Sequence, residues 1–153
     1  MSRVFTQKGE KFFNTIGQIS EMFGLPISTL RYYDKEGLFP NIERQSFGEK
    51  EMEALNVIEC LKKPGLEIKD IKKFMAWCVE GASTYKERKE LFESRKKIVE
   101  CEMIKLQKTL DMLNFKCWNY DVAIRDGNEV RLEALIPDSL PDDIRKLYDN
   151  AHS

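Results

Sequence analysis

Between Thr84 and Trp118 the chain holds neither proline nor glycine, while Phe92, Val99, Leu106 and Leu113, continued by Tyr120, recur every seven residues. Met103, Leu110 and Cys117 supply the complementary repeat in the second half, and Glu and Lys dominate the positions between. This pattern predicts one unbroken helix, roughly 50 Å long at 1.5 Å per residue. Its apolar stripe is narrow, so the helix is not stable alone and needs a partner to cover the stripe. The chain's own domain is one such partner. A helix of this length outruns a small globule, which favours a second copy of the same helix. On that basis residues 84–120 are expected to form a dimerisation coiled coil, with Phe92, Val99, Met103, Leu106, Leu110 and Leu113 in the interface.

Upstream of this segment the signals are those of short helices. Thr15 followed by Gln18 is a capping-box arrangement, and Ile16, Ile19, Met22 and Phe23 then recur at helical spacing. Gly24 stops that helix and Pro26 opens the next, whose apolar face is Ile27 and Leu30, with Tyr33 able to face either way and Gly37 as its end. Two short helices joined by a turn of a few residues containing Gly form a helix-turn-helix signature. Residues 38–47 look extended. A third helix fits Glu49 to Leu61, with Met52, Leu55, Ile58 and also Val57 inward. Pro64-Gly65 ends it, and a fourth helix fits Ile68 to Val79, with Ile68, Ile71, Phe74 and Met75 inward. After Gly127, Val130 to Ile136 reads as a short strand and Ser139 to Asp149 as a last helix. These final thirty or so residues are too few for a ligand-binding domain of their own.

Composition narrows the function classes. The 153 residues are 42% hydrophobic and 33% charged, a mixture that suits a helix-rich globular protein. No apolar run approaches the roughly 18 residues needed to span a bilayer, and the first residues lack a secretory apolar segment, so a cytoplasmic location and no membrane partner are expected. The net charge of −1 does not itself argue for nucleic acid; residues 121–153, however, hold 4 Lys/Arg against 8 Asp/Glu, so the tail is not expected to face phosphates. The four cysteines form no CxxC pair, the nearest two are 16 positions apart, and the one histidine is His152. Neither a metal site within one chain nor a cofactor is expected. With no nucleophile–base or phosphate-loop constellation, an enzyme is not expected either.

The run TIGQISEMFGLPISTLRYYDKEGLF, and most specifically its LRYYD string followed by Gly-Leu, resembles the first helix-turn-helix of the MerR family of transcription regulators. IECLKKPGLEIKDIKKF resembles that family's second helix-turn-helix, and the helix from Thr84 resembles its dimerisation helix, which pairs antiparallel with its mate. The resemblance covers about Phe13 to Tyr120. It implies a mainly α protein: a winged helix-turn-helix DNA-binding domain over residues 14–80, followed by the dimerisation helix (84–120). Outside the resemblance stand an N-terminal extension (1–13) and a short C-terminal segment (121–153), which is read as a cover for an effector pocket. The resemblance also implies a homodimer on double-stranded promoter DNA. Such dimers bend and untwist promoters whose two polymerase-recognition elements stand too far apart, so that RNA polymerase engages both. One departure is the wing: Ile42 to Phe47 runs almost directly into Gly48, where the family has a longer hairpin.

The resemblance assigns roles residue by residue. Ser28, Thr29, Arg31, Tyr32 and Lys35 fall on or near the recognition helix, with Arg31 matching a backbone-contacting arginine; Thr15, Arg44 of the wing and Lys69 of the fourth helix are further DNA-contact candidates. The alternative for each is a solvated helix face. Cys60 matches the single thiol of a subgroup that senses aldehydes and other electrophiles; its other reading is a small buried side chain. Cys78 and Cys117 stand near opposite ends of the dimerisation helix and would approach across an antiparallel dimer, although the cysteine pair of the family's metal sensors is missing. Trp77 and Trp118, with Phe115 and Tyr120, either line a pocket for an organic or cationic effector or fill core. Two other classes compete: a constitutive DNA-architectural or excisionase-like protein, and a coiled-coil scaffold.

Overall fold

The structure is a computed structural model in which residues 13–39 and 46–153 are described. The elements are β1 (Asn14–Thr15), α1 (Ile16–Phe23), α2 (Ile27–Lys35), β2 (Ser46–Phe47), α3 (Glu49–Lys62), α4 (Ile68–Glu80), a 3-10 turn (Ala82–Thr84), α5 (Tyr85–Asp126), α6 (Val130–Leu135) and α7 (Asp142–His152). The chain divides within α5 into two compact units, the first ending at Arg95 and the second formed by Lys96–Ser153.

Local chemistry sets the ends of the first helices. Thr15 Oγ1 accepts from the Gln18 backbone N–H at 3.2 Å and Gln18 Oε1 accepts from the Thr15 N–H at 2.8 Å, so two of the donors that a helix start leaves unpaired are satisfied reciprocally. Gly24 ends α1 in the left-handed conformation (φ 63°), which glycine adopts without the steric penalty of a Cβ. Glu51, 7% exposed, accepts the Gly48 N–H at 2.9 Å and so caps α3. β1 and β2 pair antiparallel in the register Asn14↔Phe47 and Thr15↔Ser46. The expected extended stretch thus ends in a strand at Ser46–Phe47, while its part at 40–45, with Arg44 and most of the wing, lies outside the described residues.

The core of the first unit is built from Ile19, Leu30, Tyr33, Phe39, Phe47, Leu55, Ile58 and Ile71, with Leu91 of α5 packed against it. Tyr33, Phe39 and Phe47 meet edge to face, at 6.5 Å and 5.3 Å between ring centroids. Val57, expected inward, is 36% exposed, and so is Ile27 at 38%. The start of α5 is tied to the turn between α3 and α4: Arg95 Nε donates to the Pro64 carbonyl, and its guanidinium lies so close to Gly65 that a Cβ there would collide with it.

The long helix is as expected in kind but longer, 42 residues, reaching Asp126 rather than Trp118. In the second unit α7 and the loop before it pack on α5, with Ile144 and the loop's Leu140 against Phe115, Trp118 stacked on Phe115 at 6.0 Å and Tyr148 edge-on to Phe115 at 5.1 Å. Asp111, 8% exposed, accepts from Gln107 Nε2 at 2.9 Å and from Asn150 Nδ2. Two expectations are corrected. The segment expected as a strand forms helix α6 over Val130–Leu135, with Ile136 just past its end: Asn128 Oδ1 accepts the Val130 N–H at 3.1 Å and starts a turn, and a strand there would leave its ladder groups without a neighbour among the described residues. The last helix starts at Asp142, not Ser139, because a residue preceding proline, here Leu140, is steered out of the helical region by Pro141.

Candidate nucleic-acid interface

On α2 the alternation of inward and outward residues is set by two buried anchors. Leu30 (0% exposed) and Tyr33 (1%) face the core, so Ser28, Arg31, Tyr32 and Lys35 are exposed. Their spacing of three, one and three residues places all four on one face of the helix. Thr29, beside them, is half-buried. A face of hydroxyl, guanidinium, phenol and ammonium offers donors to phosphate oxygens and base edges, with the exposed Asp34 at its edge beside Arg31. Thr15 is exposed at the start of α1; its cap uses the hydroxyl oxygen as an acceptor, which leaves the O–H proton to be donated elsewhere.

Lys69 is also exposed but is committed to Glu67 at 3.2 Å, and the hydrogen bond to that carboxylate raises its pKa. A phosphate would have to compete with Glu67. At the other end of α2, a Cβ on Gly37 would stand 3.5 Å from Lys72 Nζ. This places a cation near the C-terminal end of α2, where a helix dipole favours it. The sequence pattern does not single out Lys72, since it shows only a run of lysines on α4.

A polar cluster holds α2 from within. The Tyr33 hydroxyl donates to Glu59 Oε1 at 3.1 Å and accepts from Lys62 Nζ, whose ammonium is 5.2 Å from the Tyr33 ring centroid and 3.7 Å from Glu59 Oε1. Burial, above all, raises the Tyr33 pKa, and the hydrogen bond to Tyr33 raises that of Lys62. The sequence gives one signal for this cluster, the three-residue spacing of Glu59 and Lys62, and none for Tyr33 as their partner.

Cys60, between those two residues in sequence, is exposed, which overturns its reading as a buried small side chain. Cys78, Cys101 and Cys117 are exposed as well. In the first unit, Trp77 is half-buried and its carbonyl accepts from Thr84 Oγ1 at 2.7 Å, while Cys78 Sγ is 3.8 Å from Arg88 Nη1. In the second unit Trp118 fills core against Phe115. A cleft of about 470 Å³ there is lined by Lys116, Asn119, Tyr120, Glu129, Leu132, Glu133 and Ile136. It includes none of Trp77, Cys78, Cys117 and Trp118. Among the described residues no group of three or more His, Cys, Asp or Glu stands ready for a metal ion, and no helix is long and apolar enough to cross a membrane.

The apolar repeat on α5 is largely uncovered. Met103 is 63% exposed, Leu106 70%, Leu110 49% and Leu113 56%; Val99 is half-buried, and Phe92 (39%) meets Phe74 of α4 edge-on at 5.4 Å. Ile124, 79% exposed, extends the Met103–Leu110–Cys117 series by one more step, a position beyond the expected helix end at Trp118. At about 100° per residue, this stripe is centred roughly 140° around α5 from the face holding Asp111, Phe115, Trp118 and Val122. The packing of α7 therefore leaves the stripe open.

Residues 14–77 match the sequence profile of the MerR HTH family of regulatory proteins. The chain is 39% identical over 114 residues to an uncharacterized HTH-type transcriptional regulator of Haemophilus influenzae, covering 71% of this chain and 84% of that one. It is 31% identical over 91 residues to the HTH-type transcriptional regulator AdhR of Bacillus subtilis, covering 56% of this chain and 65% of the relative. Among solved structures it is similar to HiNmlR, a MerR family regulator lacking the sensor domain, bound to promoter DNA, with a TM-score of 0.56, 36% identity, and coverage of 77% of this chain and 98% of that one.

Proposed function

Because the chain belongs to the MerR family of helix-turn-helix transcription regulators, we propose that it works as a homodimer that reads promoter DNA with α2 and regulates transcription by distorting the duplex in response to an effector. Residues 14–80 are then the reading head, 84–120 the dimerisation helix, extended by Ile124, and 121–153 the segment that braces α5 from its other side.

The observation that carries this reading is the open stripe on α5. Met103, Leu106, Leu110 and Leu113 expose large apolar side chains along a helix whose opposite side is already packed. From Phe92 to Ile124 the stripe runs about 48 Å, a length and a heptad spacing that fit a second copy of the same helix. Antiparallel pairing would put the two α2 faces at opposite ends of a stiff frame. Two heads on such a frame match a straight operator at one spacing only, and any mismatch is met by bending or untwisting the DNA, whose base steps deform more readily than paired helices. Arg31, Tyr32, Ser28, Thr29, Lys35 and Thr15 are the contact residues on each head, and Lys69 is a weaker one because of Glu67. RNA polymerase is the partner that reads the altered spacing. HiNmlR, bound to promoter DNA, supports the DNA part of the reading.

An effector acts only through a differential affinity for two states of the dimer. An electrophile to which a thiol adds has its best-placed target at Cys60, which is exposed and flanked on α3 by the two side chains that hold Tyr33 of α2. The test of the distortion mechanism is a series of promoters with the half-sites intact and the spacer shortened stepwise. Activation should vanish as the spacer approaches the ordinary promoter length; activation indifferent to spacer length would make the protein a plain recruiter or repressor.

A further inference from the structure

We infer that Glu59 and Lys62 of α3 are positioning residues for DNA recognition, acting on the reading face of α2 through the hydroxyl of Tyr33; the inference rests on the reading of α2 as the recognition helix. The geometry is specific. Tyr33 is 1% exposed, yet its hydroxyl reaches a polar cluster in which it donates to Glu59 Oε1 at 3.1 Å and accepts from Lys62 Nζ. A phenol has one proton to give, and Glu59 takes it, while Lys62 occupies the oxygen. Lys62 and Glu59 also pair with each other at 3.7 Å, so each of the three groups holds the other two.

The consequence for recognition is mechanical. Tyr33 follows Tyr32 directly and stands two residues after Arg31. Its ring is gripped by the Phe39 edge at 6.5 Å and its tip by α3. Leu30, the other buried anchor of α2, is apolar and fixes how close the helix sits but not how it is rotated, because dispersion contacts are weakly directional. Hydrogen bonds at the end of a long rigid side chain do fix rotation. Turning α2 about its axis would swing Ser28, Arg31, Tyr32 and Lys35 together relative to base edges, where recognition depends on donor and acceptor positions. Without the bonds at the tip of Tyr33, binding to the correct sequence should weaken, while phosphate contacts, which tolerate small rotations, stay nearly unchanged.

The experiment uses the full chain and two duplexes: one selected by the wild type from a randomised pool, and a scrambled one of equal length. Tyr33→Phe keeps the ring and removes only the hydroxyl; Lys62→Met keeps the stem and removes the charge; circular dichroism checks that both remain helical. Each single variant should bind the selected duplex about three- to tenfold more weakly, the scale of one or two hydrogen bonds. The double variant should be no weaker than Tyr33→Phe alone, since Lys62 acts on α2 only through that hydroxyl. Affinity for the scrambled duplex and the salt dependence of binding should stay as in the wild type. If instead Lys62→Met lowers the salt slope by about 0.9, Lys62 contacts a phosphate and the inference is overturned. Additive losses, or a Tyr33→Phe variant with undiminished affinity, overturn it too. Glu59→Gln, which leaves an acceptor for the Tyr33 proton but removes the charge, should retain most of the preference, and a loss as large as that of Tyr33→Phe would count against the hydrogen-bonded linkage. A wild type that does not distinguish the two duplexes would overturn the reading of α2 itself; a wild type that does, with the linkage results failing, overturns only the inference.

Discussion

Arg88 closes on the backbone of Gly81: its Nη2 donates to the Gly81 carbonyl at 2.7 Å, while its Nε donates to Thr84 Oγ1 at 3.1 Å. Thr84, 4% exposed, turns its own hydroxyl to the carbonyls of Trp77 at 2.7 Å and Gly81 at 2.8 Å. Gly81 has φ 99° and ψ −148°, a backbone region that glycine alone enters readily. This clasp joins the last turn of α4 to the first turns of α5 within the first unit.

The first prediction concerns that joint. Thr84→Val keeps the shape of the side chain and removes the hydroxyl, leaving the Arg88 Nε donor without its acceptor, while the Trp77 and Gly81 carbonyls keep the Gly81 N–H and Arg88 Nη2 as donors. It should lower stability by about 1–3 kcal/mol, measured by urea denaturation monitored at the helix signal. Gly81→Ala should also destabilise, through backbone strain rather than a missing hydrogen bond. An unchanged midpoint in both would mean that the clasp contributes nothing to stability.

The second concerns assembly. Leu106 is 70% exposed in the protomer, so Leu106→Asp costs the isolated chain little in packing but would bury an unpaired carboxylate at a helix–helix interface. Sedimentation equilibrium at micromolar concentration should give a dimer for the wild type and a monomer for the variant. A monomeric wild type would end the dimer proposal.

The third concerns DNA. Arg31→Ala removes an exposed guanidinium from the α2 face and should weaken operator binding by about 1–3 kcal/mol. The salt dependence should become shallower by about 0.9 for each phosphate that the guanidinium no longer neutralises. Lys69→Ala should have a smaller effect, because Lys69 already pairs with Glu67 at 3.2 Å. Equal affinity of the Arg31 variant and the wild type would remove α2 from the interface.

The fourth concerns alkaline pH. Burial raises the pKa of Tyr33 above its ordinary 10.0, and the Tyr33 hydrogen bond raises that of Lys62 above 10.5, with Glu59 pushing both upward. The folded chain therefore holds protons that the unfolded chain has begun to release. With more protons on the native state, the stability they contribute is fully present below the unfolded values and is lost as pH rises through the folded ones. Lys62 is 39% exposed, so solvent screening reduces its share. Urea midpoints should fall between about pH 9 and about pH 11, and Tyr33→Phe should make that fall shallower. A pH dependence identical in the variant would show that the cluster contributes nothing to it.

Features that depend on neighbouring residues are legible in the chain alone. Thr15 and Gln18 start α1, Gly24 and Pro26 separate it from α2, and the Pro64-Gly65 turn parts α3 from α4, because caps and breakers act on backbone groups within one helical turn. The seven-residue repeat is legible for the same reason, being a property of helix geometry. Val130–Ile136 is ambiguous at that level, since its mixture of Val, Leu and Ile fits a strand or a buried helix turn equally well. The Asn128 turn, with no strand beside it among the described residues, settles it as α6. Tertiary packing, in contrast, settles which side of each helix is used. On α5, Phe115 and Val122 are buried within the second unit while Leu106 and Leu113 are left open, and both pairs are equally apolar in the sequence. Tyr33 could have faced either way; its contacts with Glu59 and Lys62, 26 and 29 positions away, turn it inward and leave Arg31 and Tyr32 on the surface. Contacts across such separations follow from how whole elements pack, and local spacing carries no record of them.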